Sequence, residues 1–172
     1  KSLFGVAILL SGCALVEANA AEAGRSLTDT QSNRPGFQLW SALELEQRSA
    51  QLGRTIRAEG SSRETLADYL TPERSHRFRF IRRDQHGLPE QHDNIEDYVY
   101  IHSGNGTILV GGEMAGESNV PGAEISGGSL YPIHPICAGD KVHIPAGMPH
   151  ADMPSQDGHI TYVLLRVPAI GE

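Results

Sequence analysis

The sequence predicts an all-β domain preceded by a helix, and three observations support this. The chain of 172 residues contains 19 glycines and 10 prolines, a turn-rich composition. Short apolar runs recur in its second half, some with period-two alternation as in residues 77–81, which is typical of half-buried strands. No helical pattern separates these runs, so a sandwich or barrel is expected rather than a parallel α/β sheet.

The N-terminus has the layout of an export signal. Lys1 precedes the apolar run 3–10, and the small residues around Ala20 provide an A-x-A cleavage pattern, so residues 1–20 are predicted to be a secretory signal peptide. The alternative is a lipoprotein signal over residues 1–12, with lipid attached to Cys13. Both readings predict a periplasmic or extracellular protein, which contacts a membrane only if Cys13 is lipidated.

Composition limits the classes of partner. The chain has 14 lysines and arginines against 21 acidic residues, a formal net charge of −7, and no basic patch of useful length, so a nucleic-acid partner is not expected. The arginines between residues 48 and 83 are interpreted as solvated faces of helices and strands. The length suits one domain with a substantial core.

A polar linker over residues 21–36 is predicted to lead into a helical segment. Leucines then recur at spacings of three, four and seven, and Ser41 stands three residues before Glu44 in the form of a capping box, which predicts a helix over residues 37–58. Residues 63–70 could add one or two helical turns. The helical segment is therefore placed at 37–70 and the β domain at 71–172.

Six strands are predicted in the β domain, with glycine-rich turns between them. They cover residues 77–81, 98–102, 107–110, 130–136, 141–144 and 160–167. Residues 103–106 are predicted to form the turn of a hairpin that joins the second and third strands. Residues 111–128 are predicted to be a loop.

The segment from Gly139 to His150 contains a spaced pattern, G-x5-P-x-G-x2-H. Gly139 begins a turn before a short strand, Pro145 ends the strand, Gly147 permits a second turn, and His150 follows. Glycine adopts backbone angles that other residues avoid, and proline cannot continue the hydrogen-bonded ladder. The pattern predicts that one imidazole is held at a fixed place beyond a strand end.

A second spaced pattern lies earlier in the chain. Glu90 and His92 are two residues apart, so on an extended strand they point to the same face. Asp97 and then Gly104 follow. The two patterns together resemble the paired motifs of the cupin superfamily. Glu90 and Asp97 depart from the residue types usual in the first motif, and Asp84 stands where the motif opens with glycine.

The resemblance implies a single cupin jelly-roll β-barrel with the helix at its N-terminal side. It also implies that His92, Asp97 and His150 bind a divalent transition metal such as Fe, Mn, Ni or Zn, with Glu90 as a fourth ligand or a catalytic base. Two imidazoles and a carboxylate suit such ions. His143 is a candidate for the pocket or for the residues around the ligands, and a surface position is the alternative.

The order of short sequence motifs from about Leu66 to Val167 is similar to that in small exported single-domain cupins without an assigned reaction. Two functions are expected. One is a metal-dependent enzyme for a small molecule, of dioxygenase or isomerase/lyase type. The other is a non-enzymatic, metal-free barrel that binds a small, sugar-like ligand. A homodimer is an oligomeric state that the resemblance allows.

Overall fold

The computed structural model describes residues 37–57, 60–71, 74–122, 124–126, 133–156 and 158–169. The predicted signal peptide, the linker and Cys13 lie outside these residues. The described chain forms one helix and nine strands: α1 (Ala42–Gly53), β1 (Ser61–Thr71), β2 (Arg74–Arg83), β3 (Ile95–Val110), β4 (Glu113–Ala115), β5 (Glu124–Ser126), β6 (Ile133–Cys137), β7 (Lys141–Ile144), β8 (His150–Pro154) and β9 (Ile160–Pro168). Within the described part of the chain, no helix has both the length and the apolar character needed to span a bilayer.

The main sheet is antiparallel and runs in the order β1-β2-β9-β3. The first half of β3 pairs with β9 on one side and with β7 on the other, whereas its second half pairs with β6 and β8. Strand β3 therefore passes through two groups of strands and connects them. The sheet is not closed. The predicted all-β fold with one N-terminal helix is confirmed, and the arrangement is consistent with a cupin jelly roll.

The predicted hairpin at residues 103–106 is wrong, because β3 continues through it. Gly104 has a φ of +79°, and the register between β3 and β9 shifts just before it. A Cβ at Gly104 would overlap the backbone carbonyl of His159, and a Cβ at Gly106 would overlap that of Met153. These glycines therefore allow close approach of neighbouring strands where β3 changes partners, rather than a chain reversal.

The predicted helix is present but shorter, Ala42–Gly53 instead of residues 37–58. Ser41 is its N-cap, and the Ser41 hydroxyl accepts a hydrogen bond from the backbone N–H of Glu44 at 3.2 Å. This hydrogen bond satisfies one of the amide groups that a helix leaves without a partner at its first turn.

The helical turns predicted over residues 63–70 are wrong, since this segment belongs to strand β1. Strand β1 pairs with β2 from Ser61 opposite Arg83 to Thr71 opposite Arg74. An irregularity between Thr65 and Ala67 shifts the pairing and interrupts the period-two pattern that would mark a strand. Tertiary pairing thus decides the conformation, and the sheet begins at Ser61 rather than at residue 71.

The other predicted strands correspond to observed ones with adjusted ends. Residues 77–81, 141–144 and 160–167 lie within β2, β7 and β9, and 130–136 overlaps β6. The predicted loop 111–128 contains the short antiparallel pair β4 and β5. Strand β8 is an additional strand that the sequence pattern did not indicate.

Strand β2 has two different faces. Phe80 is fully buried, with its ring 5.8 Å from the ring of His102, and the ring of Phe78 lies 5.1 Å from that of Trp40 at the start of the helical segment. Helix α1 is fixed to the sheet by a hydrogen bond of 3.0 Å between the hydroxyls of Ser49 and Thr161. Because the phenylalanine face lies toward the helix, the alternate residues of β2 point to the other side.

Candidate functional site

The other face of the sheet lines a cavity of about 420 Å³. Ile81 of β2 lies opposite Tyr162 of β9, and Arg77 lies opposite Arg166. Arg166 in turn lies opposite Asp97 of β3. All five residues line the cavity. Side chains alternate between the two faces of a strand, so the odd-numbered residues of β2 from Arg77 to Arg83 face the cavity.

Glu90, His92 and His150 form a cluster in the cavity wall. One ligand atom from each lies within 4.8 Å of the others. The backbones of Glu90 and His150 exchange two hydrogen bonds, of 2.8 and 2.9 Å, and the N–H of Gly147 donates to the carbonyl of His92 at 2.7 Å. Backbone hydrogen bonds therefore join the two segments that carry the spaced sequence patterns. They fix the backbone positions from which the three side chains extend.

The imidazole of His150 is held with one nitrogen turned toward the cluster. Its side chain is buried, and its Nδ1 lies 3.0 Å from the carbonyl oxygen of Met148. Because a carbonyl oxygen only accepts, Nδ1 is the donor in this hydrogen bond, which leaves Nε2 as the nitrogen available to the cluster. A metal-binding histidine is commonly oriented by such a bond from its other nitrogen. The ring of His92 lies edge-on to it, with centroids 5.9 Å apart.

Asp97 lies beside both imidazoles but is also paired with Arg166. Its Oδ2 is 3.9 Å from Nε2 of His92 and 3.8 Å from Nε2 of His150. Arg166 donates to both carboxylate oxygens of Asp97, at 3.0 and 3.1 Å, and its Nη2 also donates to Glu90 at 2.9 Å. Asp97 is 3% exposed. Its role as a metal ligand stays a prediction.

Glu90 is held in its charged form by its neighbours. Burial alone would raise the pKa of Glu90, but the hydrogen bond with His92 and the guanidinium groups of Arg166 and Arg83 outweigh it and lower the pKa to about 2. Charged neighbours and hydrogen bonds to the ionised form both favour a carboxylate. Glu90 is therefore an acceptor at neutral pH, as a metal ligand must be.

The lowered pKa of Glu90 predicts a loss of stability in acid. A carboxyl whose pKa is lower in the folded than in the unfolded chain stabilises the fold above its unfolded pKa, and this contribution is lost as the pH falls through the folded pKa. We expect the free energy of unfolding to decrease between pH 4.5 and about pH 2, and to decrease less in Glu90→Gln. Urea unfolding at constant ionic strength measures both slopes, and equal slopes would contradict the prediction.

Arg83, Tyr162 and Asp152 form a buried network on the other side of Glu90. The hydroxyl of Tyr162 donates to Asp152 at 2.6 Å, and Nε of Arg83 donates to the Tyr162 hydroxyl at 3.0 Å. Nη2 of Arg83 lies 3.4 Å from Glu90. Burial and the nearby Asp152 raise the pKa of Tyr162 well above its ordinary value, so the phenol keeps its proton. This network and Arg166 hold Glu90 from two sides.

The sequence pattern does not identify these cavity residues. It assigns Arg77, Arg79 and Arg83 to a solvated face, whereas all three line the cavity. Their spacing of two and four residues shows that they share one face of a strand. The pattern does not show which face the helical segment covers. In the structure that segment lies on the phenylalanine face, so the arginines lie on the face that lines the cavity.

His143 lies on the outer face of β7. Its side chain is 48% exposed, its Nε2 is 3.0 Å from Glu96, and its ring stacks on Tyr98 with centroids 4.4 Å apart. It is not among the residues that line the cavity. Of its two predicted positions, the structure therefore places His143 at the surface, because Ile144, the next residue, takes the inward side of the strand.

Three of the predicted turn residues lie next to the strands that lead to His150. Gly139 precedes β7 with a φ of +95°, and Gly147 precedes β8 with a φ of +76°. Pro145 directly follows β7, and its carbonyl accepts a hydrogen bond from Met148 at 3.3 Å. These turns position the chain that carries His150. Gly104 instead lies within β3, where that strand changes pairing partners.

Comparison with known proteins gives structural similarities only. The sequence matches no protein-family model, and a search of curated proteins gives no match. Among solved structures, it is similar to a cupin 2 conserved barrel domain protein from Rhodopseudomonas palustris, with 23% identity over 65% of this chain and 63% of that one and a TM-score of 0.44. It is also similar to KdgF from Halomonas sp. (18% identity, 66% and 82% coverage, TM-score 0.41). A third similarity is to the 11S globulin from Wrightia tinctoria (15% identity, 67% and 27% coverage, TM-score 0.47).

Proposed function

We propose that this protein binds a small molecule in the cavity and holds a divalent transition metal ion at Glu90, His92 and His150. The observation that carries the proposal is the approach of one donor atom from each residue to within 4.8 Å of the others. Asp97, beside both imidazoles, is proposed as an additional ligand. Export to the periplasm or cell exterior, and assembly into a homodimer, are proposals that rest on the sequence alone.

The donor set fits a transition metal in its chemistry. Two neutral imidazoles and a carboxylate make the combination used for Fe, Mn, Ni and Zn ions. His150 is oriented by its bond to Met148, and Glu90 is kept ionised by the guanidinium groups beside it. When bound, a divalent ion would supply a Lewis acid next to the cavity, and dioxygenase or isomerase/lyase chemistry is the proposed use.

The chain's own residues contribute binding and orientation. Arg166 and Arg83 fix the carboxylate of Glu90 through hydrogen bonds, so its oxygens do not have to reorganise when a ligand arrives. The protonated phenol of Tyr162 donates a hydrogen bond to Asp152 and accepts one from Arg83. It therefore positions Arg83 beside Glu90. Charge fixed in place before binding is the general means by which a site favours one ligand arrangement.

A metal-free binding cavity is the second candidate function. The observation that favours it is the position of Arg166, which donates to both Glu90 and Asp97. A cation that already serves both carboxylates satisfies part of the demand for positive charge that a metal would otherwise meet. This candidate keeps the cavity as a small-molecule site without turnover.

Metal analysis of variants separates the two candidates. We expect the purified protein, incubated with Fe, Mn, Ni or Zn and then dialysed, to retain close to one ion per chain. The double variant His92→Ala/His150→Ala should bind that ion about 100-fold more weakly or worse, since changing even an outer partner of a ligand costs about 10–100-fold.

The control is His143→Ala, which removes an exposed histidine outside the cavity. It should retain the ion like the unmodified protein, and circular dichroism should show that all three proteins are folded. If the unmodified protein retains none of the four ions, or if the folded double variant retains as much as the control, the metal site is wrong and the metal-free candidate stands.

A further inference from the structure

The cavity is rich in arginine although the chain as a whole is acidic. The formal net charge of the protein is −7. The ionised residues that line the cavity are nevertheless six arginines and four carboxylates, namely Arg57, Arg63, Arg77, Arg79, Arg83, Arg166, Glu64, Glu90, Asp97 and Asp152. A concave site whose lining carries an excess of one sign of charge attracts ligands of the opposite sign. The positive excess therefore points to an anionic ligand.

The inner arginines are already paired. Arg166 donates to Glu90 and Asp97, and Arg83 lies 3.4 Å from both Glu90 and Asp152. Around the His/Glu cluster, two arginines therefore face three carboxylates. The excess positive charge therefore belongs to the arginines farther along the cavity wall.

Arg63 and Arg77 carry this excess. Arg63 is exposed, and its guanidinium group makes no hydrogen bond or ion pair with the described part of the chain. Nε of Arg77, whose side chain is 47% exposed, lies 3.9 Å from Asp68. The same oxygen of Asp68 accepts a hydrogen bond from Arg79 at 2.6 Å, so one carboxylate serves two guanidinium groups.

The strand register places these cations on one face. Arg63 of β1 lies opposite Ile81 of β2, next to Arg79 on the same face. Arg77 lies directly opposite Arg166 of β9. Like charges directly opposed across two strands destabilise a sheet. Because Arg166 is already paired with two carboxylates, the charge that a bound anion would offset is chiefly that of Arg77.

We propose that Arg63, Arg77 and Arg79, which we name the arginine rim, bind the carboxylate of a small organic acid. This inference rests on the proposed function in taking the cavity as the ligand site. The planar guanidinium group suits a carboxylate because it donates two parallel hydrogen bonds. A carbon skeleton is indicated as well, since apolar side chains line the same wall: Ile81, Val99, Ile144 and Leu164. The volume of about 420 Å³ is in the range of small-molecule sites.

Calorimetric titration with matched acids and amides tests the arginine rim. Succinate and benzoate are the acid probes, and succinamide and benzamide are neutral controls of similar shape. We expect saturable binding of the acids, at least about tenfold tighter than that of the amides, because hydrogen bonds to a charged group are the stronger class. Binding should weaken as salt is raised, since mobile ions screen exposed charges.

Arginine variants locate the binding. The double variant Arg63→Gln/Arg77→Gln should bind succinate and benzoate at least about tenfold more weakly than the unmodified protein. Arg82→Gln is the matched control, because Arg82 lies in the same strand, outside the cavity lining, and pairs with Asp84 at 2.9 Å. It should leave acid binding unchanged. Circular dichroism checks folding, and Arg63→Gln alone replaces the double variant if that variant does not fold.

Four results would overturn the inference. They are acids that do not saturate at millimolar concentration, amides that bind as tightly as acids, a loss in the Arg82 control equal to that in the rim variant, and glycerol phosphate that binds tenfold more tightly than either acid. Measuring retained metal on the same samples separates the two proposals. Metal retention without acid binding contradicts the rim alone, whereas acid binding without metal retention contradicts the metal site alone.

Discussion

Replacing Arg166 by glutamine is expected to lower the free energy of unfolding by about 3–5 kcal/mol, the range for removing one partner of a buried ion pair. Arg166 is the side chain that donates to both oxygens of Asp97, which is 3% exposed. It also donates to Glu90. Without the guanidinium group, two carboxylates would remain in the cavity wall, and one of them is almost completely buried. Urea unfolding of the two proteins measures the difference.

The exposed pair between Arg79 and Asp68 provides the control. It has a shorter contact, 2.6 Å, but the side chain of Asp68 is 36% exposed, and exposed ion pairs contribute little to stability because water screens them. Arg79→Gln should therefore lower the free energy of unfolding much less than Arg166→Gln. Adding Asp97→Asn to Arg166→Gln should recover part of the loss. If Arg166→Gln costs no more than Arg79→Gln, the buried carboxylates do not depend on Arg166.

The spaced motifs predicted which residues meet at the cluster. The turn that carries His150 and the segment with Glu90 and His92 are local patterns, and the two segments are joined by backbone hydrogen bonds. The resemblance to the paired cupin motifs named these three side chains, together with Asp97, as candidates, and the structure brings one ligand atom of each of the three within 4.8 Å of the others. Whether a metal binds them depends on Arg166 as well, whose place opposite Asp97 follows only from the pairing of β3 with β9.

The arginines of β2 could not be assigned to a face from sequence. Period two separates Arg77 and Arg79 from Phe78 and Phe80, but either face could be the buried one. In the structure one face is covered by the helical segment near Trp40, and the other lines the cavity. Burial of arginine in such a wall depends on acidic partners from other strands, which are distant in the chain.

Glycine signals were ambiguous for a similar reason. The residues around Gly104 and Gly106 predict a hairpin, because glycine is the usual residue of tight turns. A glycine within a strand can equally mark a close approach of another backbone. Only the positions of β8 and β9 decide between these, since the carbonyls of Met153 and His159 occupy the space that a Cβ would need.

The close approach of β9 to β3 at Gly104 predicts that Gly104→Ala strongly lowers the free energy of unfolding. A residue other than glycine at a φ of +79° costs about 1–3 kcal/mol. The added Cβ would also overlap the backbone carbonyl of His159, and shifting a packed element to make room costs about another 1–3 kcal/mol. We expect the free energy of unfolding to fall by about 2–6 kcal/mol, measured by urea unfolding.

Gly147→Ala separates the two contributions. Gly147 has nearly the same φ, +76°, but a Cβ there would have no neighbour within 4 Å. Its cost should therefore be the conformational part alone, and the excess in Gly104→Ala should be the steric part, about 1–3 kcal/mol. If the two variants are equally stable, β9 moves away from β3 without cost. The close approach at Gly104 would then not be the reason for glycine at this position of the strand.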